Sequence, residues 1–135
     1  MIPNSDLTAL ALTMIGEARG EGIEGMKDVG HTVMNRVEHP SWRGDTILVV
    51  CLHPWQYSCW NDNDPNKAYL DGLEETDELY QQAAGIAEDL IQGTLSDPTD
   101  GATYYYRIGS TEPAWAIGKT PCYSSGNHVF FKDIA

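Results

Sequence analysis

The stretch Ile15–Val37 reads IGEARGEGIEGMKDVGHTVMNRV, and the rest of the chain is organised around it. It joins two segments of helical period through a turn punctuated by Gly20 and Gly22, and places Glu17 just before that turn. Upstream, Leu7, Leu10, Met14 and Ala18 recur at spacings of three and four, one apolar stripe of a helix. Asn4 or Ser5 is suited to cap its start, and Gly20 and Gly22 to end it. At the helical rotation per residue, Glu17 falls about 60° from the middle of the stripe, on the edge of the buried face. The second segment runs from Ile23 to Val37, with Met26, Val29, Gly30, Val33 and Val37 facing one way. Helices joined by so short a turn pack as an αα-hairpin, which fixes Glu17 and Glu21 near one end of the joint. A carboxylate half-buried against apolar groups has its protonated form favoured, as a general acid requires. A solvated helix-edge glutamate is the plainer reading, and Arg19 and Arg36 are possible partners for these acids.

A chain of 135 residues, 41% of them apolar, is of ordinary size for one globular domain. Such a domain buries about two-thirds of its unfolded surface. The formal charge of −12 argues against nonspecific binding to nucleic acid or to an anionic membrane surface, both of which rely on cationic side chains. A neutral or zwitterionic polymer such as a polysaccharide is compatible with it. The start, MIPNSDLTAL, has neither a basic segment nor a long apolar run, so no signal peptide and no membrane span are expected. Synthesis in the cytoplasm follows, with later release by lysis or by particle delivery left open. Cys51, Cys59 and Cys122 are expected as thiols. With His31, His39, His53 and His128 they form no metal-ligand spacing, and no metal or other cofactor is expected.

Beyond the hairpin, Glu38–Asp45 reads as a loop, and Asp45–Cys51 as a short buried strand or one or two turns of helix. His53–Asn61 (HPWQYSCWN) is rich in aromatic, amide and hydroxyl groups. That combination suits a sugar, whose ring faces are apolar and whose rim is hydroxylated. Alternatively, Trp55 and Trp60 pin the loop to the domain. Asp64 and Pro65 open a helix through Lys67–Leu73. The alternating Asn and Asp of that turn lack the glycine and distal glutamate of a calcium loop. Glu78–Ile91 is a scaffold helix lined by Leu79, Ala83, Ile86 and Leu90, capped by Thr76 or Asp77 and closed by Gly93. Thr103–Arg107 is a strand with Tyr104 and Tyr106 on one face and Tyr105 on the other. Ile108–Thr120 is a loop carrying Trp115, and His128–Phe131 a strand with Phe130 in the core.

Four blocks in this order resemble the SleB-like cell-wall hydrolases of the spore-cortex-lytic type. They are GEARGEG with VMNRV (Gly16–Gly22 and Val33–Val37), QYSCW (Gln56–Trp60), the DPT-x-GA-x-YY pattern (Asp97–Tyr105) and GNHVFF (Gly126–Phe131). The resemblance covers about residues 10 to 132, with tyrosine at 57 where the family usually has phenylalanine. It departs from the family at Asp28, Gly30 and His31, where relatives tend to have small or apolar residues.

What the resemblance implies is an α+β, mainly helical, lysozyme-like catalytic domain with a small β element. Its activity would be cleavage of peptidoglycan glycan strands between N-acetylmuramic acid and N-acetylglucosamine, with Glu17 as the catalytic acid. Glu21, Gln56, Tyr57, Ser58, Tyr104, Tyr105, Trp115 and His128 would fall in or near the glycan groove. A lytic transglycosylase needs one carboxylic acid, because the muramyl C6 hydroxyl replaces water as nucleophile. A water-dependent muramidase would need a second acid, for which Glu21 is nearest in sequence. A non-catalytic glycan-binding module is a further alternative, and a peptidoglycan amidase would need a metal cluster. The chain resembles the catalytic module alone, of the kind found in a phage endolysin, working as a monomer on peptidoglycan, without nucleic-acid or membrane partners.

Overall fold

The computed structural model describes residues 1–135. Helix α1 (Asp6–Ala18) starts at Ser5, whose hydroxyl accepts from the Thr8 N–H at 3.2 Å. A 3-10 turn, Arg19–Glu21, and Gly22 at φ 75° connect it to α2 (Gly22–Glu38), giving the expected helical hairpin. The one-striped α1 of the sequence reading is too modest. Ala9, Leu10, Ala11, Leu12, Met14 and Ile15 are all fully buried, because α2, α3 (Ile47–Leu52), α4 (Pro65–Asp71) and α5 (Glu78–Gln92) surround the helix. A helix apolar on all sides is a core helix, and α1 is the axis of this domain.

The undecided segment before Cys51 is helix α3, begun by the Thr46 hydroxyl accepting from Val49 N–H at 3.1 Å. The Asp64 carboxylate caps α4 by accepting from Asn66 N–H at 2.8 Å, with Pro65 in the first turn. Asp77 is the residue before α5, but its carboxylate turns back to Glu74 N–H at 2.8 Å, so that helix has no side-chain cap. Gly93, left-handed at φ 76°, ends it as expected. Two glycines let helices meet. A side chain at Gly30 would come within 2.5 Å of Leu90 Cδ1 and 2.8 Å of Met14 Sδ, so α1, α2 and α5 converge there. At Gly16 a Cβ would lie 2.6 Å from Cys59 Cβ, which brings a second 3-10 turn, Ser58–Trp60, hard against α1 one residue from Glu17.

The sheet is antiparallel with order β1–β3–β2, built from β1 (Tyr104–Arg107), β2 (Tyr123–Ser125) and β3 (His128–Phe131). Strand β2 is not legible in the sequence; three residues beside a turn carry too little pattern. Tyr105 pairs with Phe130 and Tyr106 with Val129. The alternation holds: Tyr104 and Tyr106 pack with Trp115 and Phe131 in a small second cluster, while Tyr105 turns to the helices. No helix is long and apolar enough to cross a membrane.

Candidate active site

Glu17 lies in the last turn of α1, where the central helix reaches the sheet. The Tyr105 hydroxyl from β1 donates a short hydrogen bond to its Oε1. The Cys59 N–H donates to Oε2 at 3.0 Å and the Ser58 hydroxyl to the same oxygen at 3.3 Å. Each oxygen is thus held by a group from a different part of the chain. Burial pushes the Glu17 carboxyl above its ordinary value, and the hydrogen bonds from Tyr105, Cys59 and Ser58 only partly offset that. Burial also raises the Tyr105 phenol well above the usual range, with the Glu17 charge adding to it, so Tyr105 stays a donor.

Glu17 opens into a cavity of about 600 Å³. Gln56, Ser58, Tyr104, Tyr105, Trp115 and His128 line it, gathering most of the residues singled out in the sequence. His128 is 6% exposed, its ring 4.9 Å from that of Tyr105. Burial lowers its pKa, with Glu21 pulling upward and Arg107 downward, so the imidazole is neutral at pH 7. Glu17 also borders a smaller, wholly polar cavity of about 330 Å³, where Arg19, Glu21, Asn66, Arg107 and Asn127 meet. Glu21 therefore lines this cavity and not the aromatic one.

Tyr57 is not in the cleft. It is 1% exposed, its hydroxyl bonded to Thr32 at 2.9 Å, and its ring lies beneath the Arg36 guanidinium at 4.8 Å. The backbone at Tyr57 points this ring inward and leaves Gln56 and Ser58 to face the cavity. Nor do the two arginines pair with the acids. Arg36 donates through Nε to the Thr103 carbonyl at 2.7 Å and reaches Gln56 Oε1 at 3.4 Å, tying α2 to β1 and to the cleft wall. Arg19 donates to Ile15 O at 3.2 Å and stacks on Tyr69 at 4.0 Å. The tryptophans divide: Trp60 is pinned by its Nε1–H to Thr13 at 3.0 Å, whereas Trp55 is 81% exposed at the cavity rim.

Sequence reasoning missed Trp42, Asn66, Tyr106 and Arg107 as lining residues. Trp42, 56% exposed in the loop after α2, could have been found as a large aromatic in an otherwise polar loop; the others carry no local signal. No three His, Cys, Asp or Glu side chains gather where they could hold a metal ion. Cys51 and Cys59 are buried thiols, and burial pushes the former up to about 12.

One half-buried acid at a helix end, held by a sheet tyrosine at the head of an aromatic cleft, defines a lysozyme-like catalytic domain with a mainly helical α+β fold. The solved catalytic domain of the germination-specific lytic transglycosylase SleB from Bacillus anthracis superposes with a TM-score of 0.70 at 27% identity, over 97% of this chain and 100% of that one. The SleB catalytic domain from Bacillus cereus gives 0.69 at 27% identity, over 97% and 95%. The spore cortex-lytic enzyme of Bacillus subtilis is 26% identical over 129 residues, 94% of this chain and 37% of that protein. That of Oceanobacillus iheyensis is 28% identical over 131 residues, 95% of this chain and 42% of that protein. The chain thus spans less than half the length of these relatives. The Cell Wall Hydrolase family model matches residues 20–131, and the chain belongs to that family.

Proposed function

We propose that this domain is a lytic transglycosylase that cleaves peptidoglycan glycan strands between N-acetylmuramic acid and N-acetylglucosamine. The observation that carries the reading is a single carboxyl, Glu17, with its pKa raised by burial and both oxygens held, while no other carboxylate side chain lines the aromatic cavity. Protonated Glu17 gives its proton to the glycosidic oxygen, and the C1–O bond breaks. The carboxylate left behind accepts hydrogen bonds from Tyr105, Cys59 and Ser58. It then takes the proton of the muramyl C6 hydroxyl as that oxygen bonds to C1 and closes a 1,6-anhydro ring. The acid is regenerated, and no water is consumed. Gln56, Tyr104, Trp115 and His128 orient the sugars, with the tyrosine and tryptophan rings against their apolar faces. We read the working unit as a monomer.

Mass spectrometry of muropeptides from digested peptidoglycan tests the reading. Anhydro ends support it. Fragments heavier by one water would make the enzyme a muramidase, with Glu21 across the polar cavity as the second acid. Glu17→Gln, nearly isosteric but without the transferable proton, is expected to lower turnover by at least about 10²–10⁴-fold while wall pull-down persists. Clearing at the wild-type rate by that variant would remove Glu17 from the mechanism.

A further inference from the structure

A second cavity of about 590 Å³ adjoins the aromatic cleft at Trp55. Trp55 borders both this cavity and the aromatic cleft, whereas the polar cavity holding Glu21 shares no residue with it.

The second cavity is lined by Trp55, Trp60, His53, Asn61, Asp62 and Asn63, with neighbouring residues of the same loop. Its two indoles differ in a useful way. Trp60 is locked by its bond to Thr13, while Trp55 stands 81% exposed with its backbone at φ 67°. A bulky residue held left-handed with its ring in water is costly twice over, in backbone strain and in exposed apolar area. The carboxylates here are already engaged: Asp64 caps α4 and Asp62 pairs with Lys67 at 2.8 Å. The Asn61 and Asn63 side chains have no partner in the protein, although each offers two donors and an acceptor. Two indoles with free amides beside them match the apolar faces and hydroxyl or acetamido rim of a hexosamine. The acidic rim, with Lys67 as its neighbouring cation, disfavours a phosphate-bearing polymer.

We infer that this cavity is a distal saccharide subsite, which holds the continuation of the same glycan strand after it passes over Trp55. The inference rests on the glycan-cleaving reading and deepens it. The enzyme then grips an internal stretch of a long strand, and short fragments that end before Trp55 forgo that grip.

The test compares glycan strands of graded length, from tetrasaccharide upward, as substrates for the wild-type domain, Trp55→Ala and the double variant Asn61→Ala/Asn63→Ala. The readout is the ratio of kcat/KM on long strands to that on short ones. This ratio is expected to exceed one in the wild type and to fall by about three- to tenfold in Trp55→Ala, carried mainly by KM. Circular dichroism confirms folding, which removal of exposed side chains leaves intact. In parallel, NMR of Glu17→Gln with long strands follows the indole N–H signals, and shifts at both Trp55 and Trp60 are expected. A ratio near one in the wild type, or the same ratio in all three proteins, would overturn the subsite. If the wild type cleaves no strand of any length, the glycan-cleaving reading itself fails. The NMR experiment still decides whether strands occupy this cavity: no shift at Trp60 rules the subsite out.

Discussion

At Glu17 two opposing influences set the cost of moving a proton. Burial favours the neutral acid, and three donors favour the carboxylate; burial prevails, which favours a proton on the acid at the start, while the donors support the anion at the end. Tyr105→Phe keeps the ring packed on Phe130 and removes one of those donors. The loss raises the Glu17 pKa further, so the acid form survives to higher pH. The alkaline limb of the pH–rate profile is therefore expected to move upward, while kcat falls about tenfold, the worth of one charge-assisted hydrogen bond. A limb that stays in place would mean the hydroxyl does not act on Glu17. Asp28, buried on α2 at 1% exposure, has an oxygen without any partner. Burial pushes its carboxyl up to about 6, with Ser125 opposing and Glu24 and Asp97 adding to the rise. His31, 5% exposed one helical turn on, is held down by its own burial and supplies little positive charge to relieve it. A carboxyl with a folded pKa above its unfolded 3.8 is destabilising as its charge forms. Stability is full below about pH 4 for this group and is lost as pH rises through about 6, by on the order of 2–3 kcal/mol. Asp28→Asn is expected to raise Tm at pH 8, leave it little changed near pH 4, and so flatten the pH dependence between them.

The elements meet the site through close approaches that single residues permit. Gly16→Ala would push on Cys59 Cβ, which is fixed to the backbone that donates to Glu17. We expect it to lower stability by about 1–3 kcal/mol and to cost activity even in the folded fraction. Gly30→Ala presses instead on Leu90 Cδ1 and Met14 Sδ, ends of flexible side chains that do not line the cleft. It should cost less in thermal unfolding and leave the rate per folded molecule unchanged. Equal losses of activity would deny that the Ser58–Trp60 turn is set by Gly16. These contacts also explain what the sequence could and could not disclose. The helical hairpin, the scaffold helix Glu78–Gln92 and the two faces of the tyrosine strand follow from spacing alone, because period and burial coincide there. Spacing also put Glu17 at a buried edge, but its being an acid in a cleft needed Tyr105, 88 residues away, and Cys59, 42 away. Tyr57 looked like its neighbours because the backbone turn that sends it inward leaves no mark in composition. Trp42 and Arg107 become lining residues only once α2, the sheet and the cleft loop are assembled, and no local pattern encodes that.

Over the whole molecule the charge of −12 shapes how the domain reaches a wall that carries anionic polymers. The cleft departs from that mean: Arg107 lines both cavities beside Glu17 and makes no ion pair, and Arg36 lies in the wall of the larger one. Approach is thus opposed at long range and eased at short range, and salt separates the two. Raising ionic strength from about 0.01 M to 0.1 M shortens the screening length from about 30 Å to about 10 Å, which removes the long-range repulsion and leaves contacts within the cleft largely intact. Sedimentation of Glu17→Gln with intact walls is therefore expected to show tighter binding as salt rises over this range. Glycan strands freed of peptide and anionic polymer should show little change. Binding to intact walls that weakens steadily with salt would mean instead that the arginines of the cleft, and not the net charge, govern capture.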